Sequence, residues 1–149
     1  MEPQIETLDA KHCVGVRTPV RQQEIGERIG ALLPAVMAVA GDAIAGPPFA
    51  RWLEWDAAAN SGLMELGVPV ARPVAGRDDV AAGELSAGRA VVHWHVGPYD
   101  GLAKSWEFVR AWTTERGLVA RGAPWEEYCS DCAVTPPAEL RTRIVWPIE

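Results

Sequence analysis

The chain's densest group of side chains able to handle charge and protons together is Glu126-Glu127-Tyr128, preceded by Trp125. In an extended strand, alternation puts Trp125 and Glu127 on one face and Glu126 and Tyr128 on the other. A carboxylate and a phenol on one face could meet a cationic ligand. They could also serve a hydrolase, with Glu126 as general base on water and Tyr128 donating to a developing oxyanion. The alternative reading of Glu126 is a solvated strand residue. His93 and His95 form a His-x-His pair on one strand face, geometrically able to hold a metal, but no third ligand accompanies them. Hydrogen bonding to a Tyr or a carboxylate is the preferred reading of the pair. Cys129-Ser130-Asp131-Cys132 is a lone Cys-x-x-Cys without a second pair, and packing is preferred there. No Gly-rich phosphate loop and no Ser/His/Asp order is detectable, so neither a metal nor a cofactor is expected.

These residues need a scaffold, and the chain supplies it twice. The halves overlay with an offset of about 76 to 78 residues. Val14-Gly15-Val16 followed by Pro19 matches Ala90 to Val96 followed by Pro98. Each strand leads into a helical stripe, Ile25, Ile29, Leu32, Leu33, Val36 and Met37 in one half and Leu102, Trp106, Val109 and Thr113 in the other. Asp100 is the expected N-cap of the second helix and Gly117 its terminator. Pro34 is expected to kink the first helix or to mark a helix start. Aromatic strands follow, Phe49 matching Trp125 and Trp52 matching Tyr128, and Leu66 to Val70 closes one half as Ile144 to Ile148 closes the other. The connection, residues 71–89, has room for a short edge strand near Glu84-Leu85. The fold class is therefore α+β: duplicated β-α-β-β modules with pseudo-twofold symmetry, an antiparallel sheet, two main helices and a central ligand cleft. The repeats span about 10–72 and 88–149 of a single domain covering 1–149.

On the first-half face that corresponds to Glu126 and Tyr128 lie Ala50, Trp52 and Glu54. If the two faces meet, the groove is floored by two aromatics and at least one carboxylate, a site for a flat cation. The ligand-binding candidates are Glu126, Tyr128, Trp52, Trp146, Phe49 and Glu54. Trp106, Trp112 and Trp94 read as core, and Trp55 as a rim residue.

Composition sets the outer limits. The chain has 149 residues, seven Trp, and 14 Lys+Arg against 20 Asp+Glu for a formal charge of −6. That charge opposes phosphate-backbone binding, so no direct nucleic-acid partner is expected. No apolar run is long enough for a membrane span, and Met1-Glu2-Pro3-Gln4 lacks a signal-peptide core. With three Cys, an odd count, the reading is cytoplasmic and no membrane partner is expected.

Taken in order, these segments resemble the GyrI-like effector-binding family, also called AraC-type or SOUL-related. The resemblance is carried by His95-Val96-Gly97-Pro98-Tyr99-Asp100-Gly101-Leu102, the Trp106 to Trp112 helix, Gly122 to Tyr128, Asp131 and the Leu140 to Pro147 strand, with Gly46 to Trp52 and Gly67 to Val70 in the first half. It implies paired β-α-β-β modules around a ligand cleft. It also implies that Glu126, in a Glu-x-Tyr arrangement, meets a ligand's positive charge. Cys132 departs from the pattern, since many relatives have Pro there. The DNA-binding segment that precedes this domain in regulators is not expected here. Three functions follow as expectations: a stand-alone binder of amphipathic, aromatic, often cationic compounds, for sequestration or sensing; a hydrolase opening strained electrophiles such as cyclopropanoid DNA alkylators, with Glu126 as base and Tyr128 as donor; and a protein partner role, inhibiting a DNA-handling enzyme such as gyrase.

Overall fold

A computed structural model of the chain describes residues 2–131 and 134–149. The strands are β1 (Gln4–Leu8), β2 (Lys11–Arg21), β3 (Phe49–Asp56), β4 (Ser61–Val70), β5 (Ala81–Leu85), β6 (Gly88–Val96), β7 (Trp125–Tyr128) and β8 (Arg141–Pro147). The helices are α1 (Ile25–Ala40) and α2 (Leu102–Glu115). The chain divides into two compact units, Asp9–Ala87 and Met1–Leu8 with Gly88–Glu149. Both are α+β with antiparallel strands.

In the Asp9–Ala87 unit the strand order is β3-β4-β2-β5, and α1 packs on β2 and β4. In the other unit it is β7-β8-β6-β1, with α2 on β6. The two orders correspond strand for strand. The edge strand β5 lies where the Glu84-Leu85 reading expects one, pairing with β2 from Lys11 to Gly15. Its counterpart β1 covers the edge of β6, Gln4 opposite Val92 and Leu8 opposite Gly88, so the chain's start belongs to the unit formed by its second half. Backbone groups at a strand edge need partners, and each edge strand supplies them to its own unit.

The registers repeat as well. Phe49 lies opposite Gly67 and Trp52 opposite Met64; Trp125 lies opposite Val145 and Tyr128 opposite Thr142. The position between carries an ion pair with its charges exchanged. Arg51 Nε donates to Glu65 Oε1 at 2.6 Å, and Arg143 Nη1 to Glu127 Oε1 at 3.1 Å. Each arginine also reaches its edge strand, Arg51 to the Glu84 carbonyl at 3.0 Å and Arg143 to Glu6 at 3.0 Å. Glu65 and Glu127 are both buried. Gly67 is needed where Phe49 crosses it, because a Cβ there would lie 2.6 Å from the Phe49 ring and from the Val14 carbonyl.

Of the two alternatives for Pro34, the helix start does not hold: Pro34 lies inside α1, which runs through it to Ala40. Pro34 and Gly30 are both exposed, so the Gly30 carbonyl that loses its partner faces water. The expected N-cap of α2 needs correction: Asp100 sits in a one-turn 3₁₀ segment, Tyr99–Gly101, and Gly101 occupies the cap. Gly117 does terminate the helix, at φ +67°, with its N–H and that of Leu118 donating to the Thr114 and Thr113 carbonyls.

Candidate functional site

The helix-covered side of the second-half unit is set by register. Across β6, β8 and β7, His93, Ile144 and Glu126 form one row, and His95, Thr142 and Tyr128 the next. Beneath α2 lies a core of Val91, Val109, Ile144 and Ile148, with Leu102, Trp106, Trp112, Leu118 and Trp146 packed against it.

Glu126 is 5% exposed. Its Oε2 accepts the Tyr128 hydroxyl at 2.9 Å, two residues along the same strand face. Its Oε1 accepts the indole N–H of Trp106 at 2.7 Å, delivered by α2. Burial, and then the Glu126 charge, hold the Tyr128 hydroxyl well above the usual phenol range, so it stays protonated and donating. On the opposite face Trp125 Nε1 donates to Glu127 Oε2 at 2.9 Å, so the two carboxylates have separate surroundings.

The two rings that donate to Glu126 each have an aromatic neighbour. Trp146 stands 5.9 Å from Trp106 between ring centres, tilted by 60°, and Tyr99 meets Tyr128 edge-on at 5.8 Å. Trp106, Trp146 and Tyr128 are half-buried and Tyr99 is exposed, so the rings that donate to the buried carboxylate belong to aromatic pairs with part of their surface open.

The histidines divide in role. His95 bonds to Ser105 Oγ through Nδ1 at 2.7 Å and to the Pro98 carbonyl through Nε2 at 2.8 Å, so neither nitrogen is available to a shared metal. No cluster of three or more potential metal ligands occurs among the described residues. His93 is buried edge-on to Phe108, and burial lowers its pKa from the ordinary 6.5. Below that value the unfolded chain takes up a proton that folded His93 resists, so stability should fall with pH. In urea melts the wild type should lose stability between pH 7 and 5.5, by at most about 1.4 kcal/mol per pH unit from this group. His93→Gln should flatten the slope. Cys129 is exposed, and Cys132 lies outside the described residues.

In the first-half unit two expectations need correction. Phe49 is fully buried against Gly67 and on the face of Arg51, not that of Trp52, so it is a core residue. Glu54 does not share the face of Ala50 and Trp52. A bulge at Leu53 makes Trp52 oppose Met64 while Glu54 opposes Leu63, and one extra residue reverses the alternation. The same bulge brings Trp55 to Trp52, edge-on at 5.8 Å. Glu54 instead lines an open depression of about 720 Å³ with Trp55, Arg21, Glu24, Arg28 and Asp56. Trp52 is half-buried at the position that Tyr128 occupies in the other unit. Where that unit has Glu126 opposite Ile144, this one has Ala50 opposite Leu66, so the carboxylate is not duplicated.

A family profile for the GyrI-like small molecule binding domain matches residues 1–149. The chain belongs to that family. Among solved structures, this GyrI-like domain is similar to the EcmrR C-terminal domain, at TM-score 0.88 and 18% identity over 99% of this chain and 97% of that one. Against full EcmrR in a complex with DNA, the GyrI-like chain spans 57% of the other's length. It is similar to SAV2435, solved bound to tetraphenylphosphonium, at TM-score 0.71 and 15% identity over 100% and 94% of the two chains. It is also similar to a hydrolase encoded by lin2189 from Listeria innocua, at TM-score 0.64 and 15% identity over 99% and 92%. No curated protein sequence gives a significant match. No helix among the described residues is long and apolar enough to cross a membrane.

Of this GyrI-like domain's predicted site residues, Glu126, Tyr128 and Trp146 are gathered beneath α2. Trp106, expected in the core, does pack on it, and its indole N–H in addition donates to Glu126. Helical periodicity assigned its direction but not its tip. The contact of Tyr99 with Tyr128 has no counterpart in the local sequence pattern, since nothing there shows that the turn after β6 carries one ring to the other.

Proposed function

We propose that the chain binds amphipathic aromatic cations at Glu126, with Trp146, Trp106, Tyr128 and Tyr99 supplying the aromatic surface. The observation that carries this reading is the buried carboxylate held by one indole N–H and one phenol O–H amid partly open rings. Removing a carboxylate from water costs several kcal/mol. A cation of low hydration offsets that cost, and its own aromatic groups gain by stacking. The ligand of the SAV2435 structure, a phosphonium carrying four phenyl rings, has this chemistry. Sequestration or sensing in the cytoplasm is the setting, in keeping with the odd cysteine number. Titration with tetraphenylphosphonium, followed by Trp fluorescence, should give saturable quenching; an unchanged spectrum would overturn the reading.

The Glu126–Tyr128 pair supports a second reading. Glu126 could take a proton from water while Tyr128 donates to the oxygen that gains charge, opening a strained electrophile such as a cyclopropanoid. The similarity to the Listeria hydrolase fold accompanies it. Mass spectrometry separates the two: a product heavier by one water, lost in Glu126→Gln, establishes turnover, whereas recovery of unchanged ligand leaves binding alone.

A further inference from the structure

His95 and Ser105 have a geometry that neither proposed role of Glu126 uses. His95 is the penultimate residue of β6, and Ser105 lies one turn into α2. A carbonyl oxygen only accepts, so the 2.8 Å contact from His95 Nε2 to the Pro98 oxygen places the ring proton on Nε2. In the neutral ring Nδ1 is then the lone-pair nitrogen. Ser105 Oγ, 2.7 Å away, donates its proton to it. A Ser inside a helix ordinarily bonds back to a carbonyl of the preceding turn; this one is turned onto an imidazole. The turn is shaped for the ring, since a Cβ on Gly101 would lie 3.0 Å from His95 Cε1. His95 is buried and Ser105 half-buried. A nucleophile, a base within hydrogen-bond reach and a third group fixing the base's tautomer make up an activated serine, with a backbone carbonyl in the place usually held by an acid.

We propose that Ser105 is a nucleophile activated by His95 and oriented through the Pro98 carbonyl, and that it accepts acyl groups from activated aryl esters. Ser105 Oγ forms a bond to the acyl carbon as its proton passes to His95 Nδ1. The bond from that carbon to the aryl oxygen breaks, and the aryl oxide leaves with the proton from His95. Water then adds to the acyl-serine, releasing the carboxylic acid and restoring the hydroxyl.

A fluorophosphonate probe tests this without a known substrate: Oγ bonds to phosphorus, and fluoride leaves with the serine proton. The full folded chain should take up one phosphonyl group, mapped by peptide mass to Ser105. Labelling should be at least tenfold faster than in the urea-unfolded chain, absent in Ser105→Ala and retained in Ser86→Ala. A base contributes roughly 10²–10⁴ in rate, so His95→Gln should slow labelling at least tenfold. If His95→Gln does not fold, the comparison of folded with unfolded chain and the two serine variants still decide. No adduct, an adduct elsewhere, or equal labelling of folded and unfolded chain would overturn the proposal. An unchanged rate in folded His95→Gln would overturn the role of His95. The outcome is independent of cation binding at Glu126.

Discussion

Glu126→Gln is expected to weaken tetraphenylphosphonium binding at least thirtyfold while leaving the fold intact. Gln keeps the shape and an acceptor oxygen for the Trp106 indole N–H or the Tyr128 hydroxyl, so the site's hydrogen bonds are largely preserved. What it removes is the charge. Truncating one partner of a desolvated charge pair typically costs 2–5 kcal/mol, and 2 kcal/mol corresponds to about thirtyfold in affinity. Trp146→Ala should weaken binding less, since a cation–π contact contributes about 0.5–2 kcal/mol. Calorimetry on the wild type and both variants would measure the order of effects. Equal affinity in Glu126→Gln and the wild type would remove the carboxylate from the account.

Arg51→Met is expected to destabilise the first-half unit by about 3 kcal/mol or more. Arg51 bonds through Nε and Nη2 to one oxygen of buried Glu65, and through Nη1 to the Glu84 carbonyl. Its loss leaves Glu65 buried with, among the described residues, the ion pair to Arg17, which is 3.7 Å away and largely exposed. Breaking a buried pair from one side costs about 3–5 kcal/mol, whereas replacing both partners by apolar groups is often close to neutral. The double variant Arg51→Met/Glu65→Met should therefore recover most of the loss in urea melts. If the double variant is as unstable as the sum of the two singles, the pair is not acting as a unit.

Much of this arrangement is written in local pattern. The repeat aligned Phe49 with Trp125 and Trp52 with Tyr128, and the strand registers pair these residues in the same way. Alternation alone placed Glu126 beside Tyr128 and apart from Glu127, because period-two geometry is independent of what packs on the strand. The failures share a cause as well. The Leu53 bulge inserts one residue with no side-chain signature, yet it reverses the faces of Glu54 and Trp55. Strand β1 alternates weakly, with Ile5 and Leu8 among polar residues, and its partner β6 lies most of the chain away. The reach of Trp106 to Glu126 depends on how far α2 is slid along the sheet, which tertiary packing decides. Pro98 leaves no mark in any Ser/His/Asp order, because the group that fixes His95 is a backbone carbonyl, which every residue has.

The duplication also bears on why the site is single. Both units use a buried cross-strand ion pair tied to an edge strand, with the charges exchanged, and that device belongs to stability. The position beside it differs in kind: Glu126 in one unit, Ala50 in the other. A carboxylate kept under a helix, where alanine serves the same backbone, is a cost to folding that the proposed cation binding would offset.

The most direct test is an NMR titration of ¹⁵N-Trp-labelled protein with tetraphenylphosphonium, following the seven indole N–H signals. The Trp106 signal, whose proton is held by Glu126, should shift saturably with the largest amplitude, and Trp146 should move with it. In Glu126→Gln the Trp106 signal should change position before ligand is added and then respond weakly. A wild-type titration in which other indoles shift while Trp106 stays fixed would place the ligand elsewhere and contradict the account.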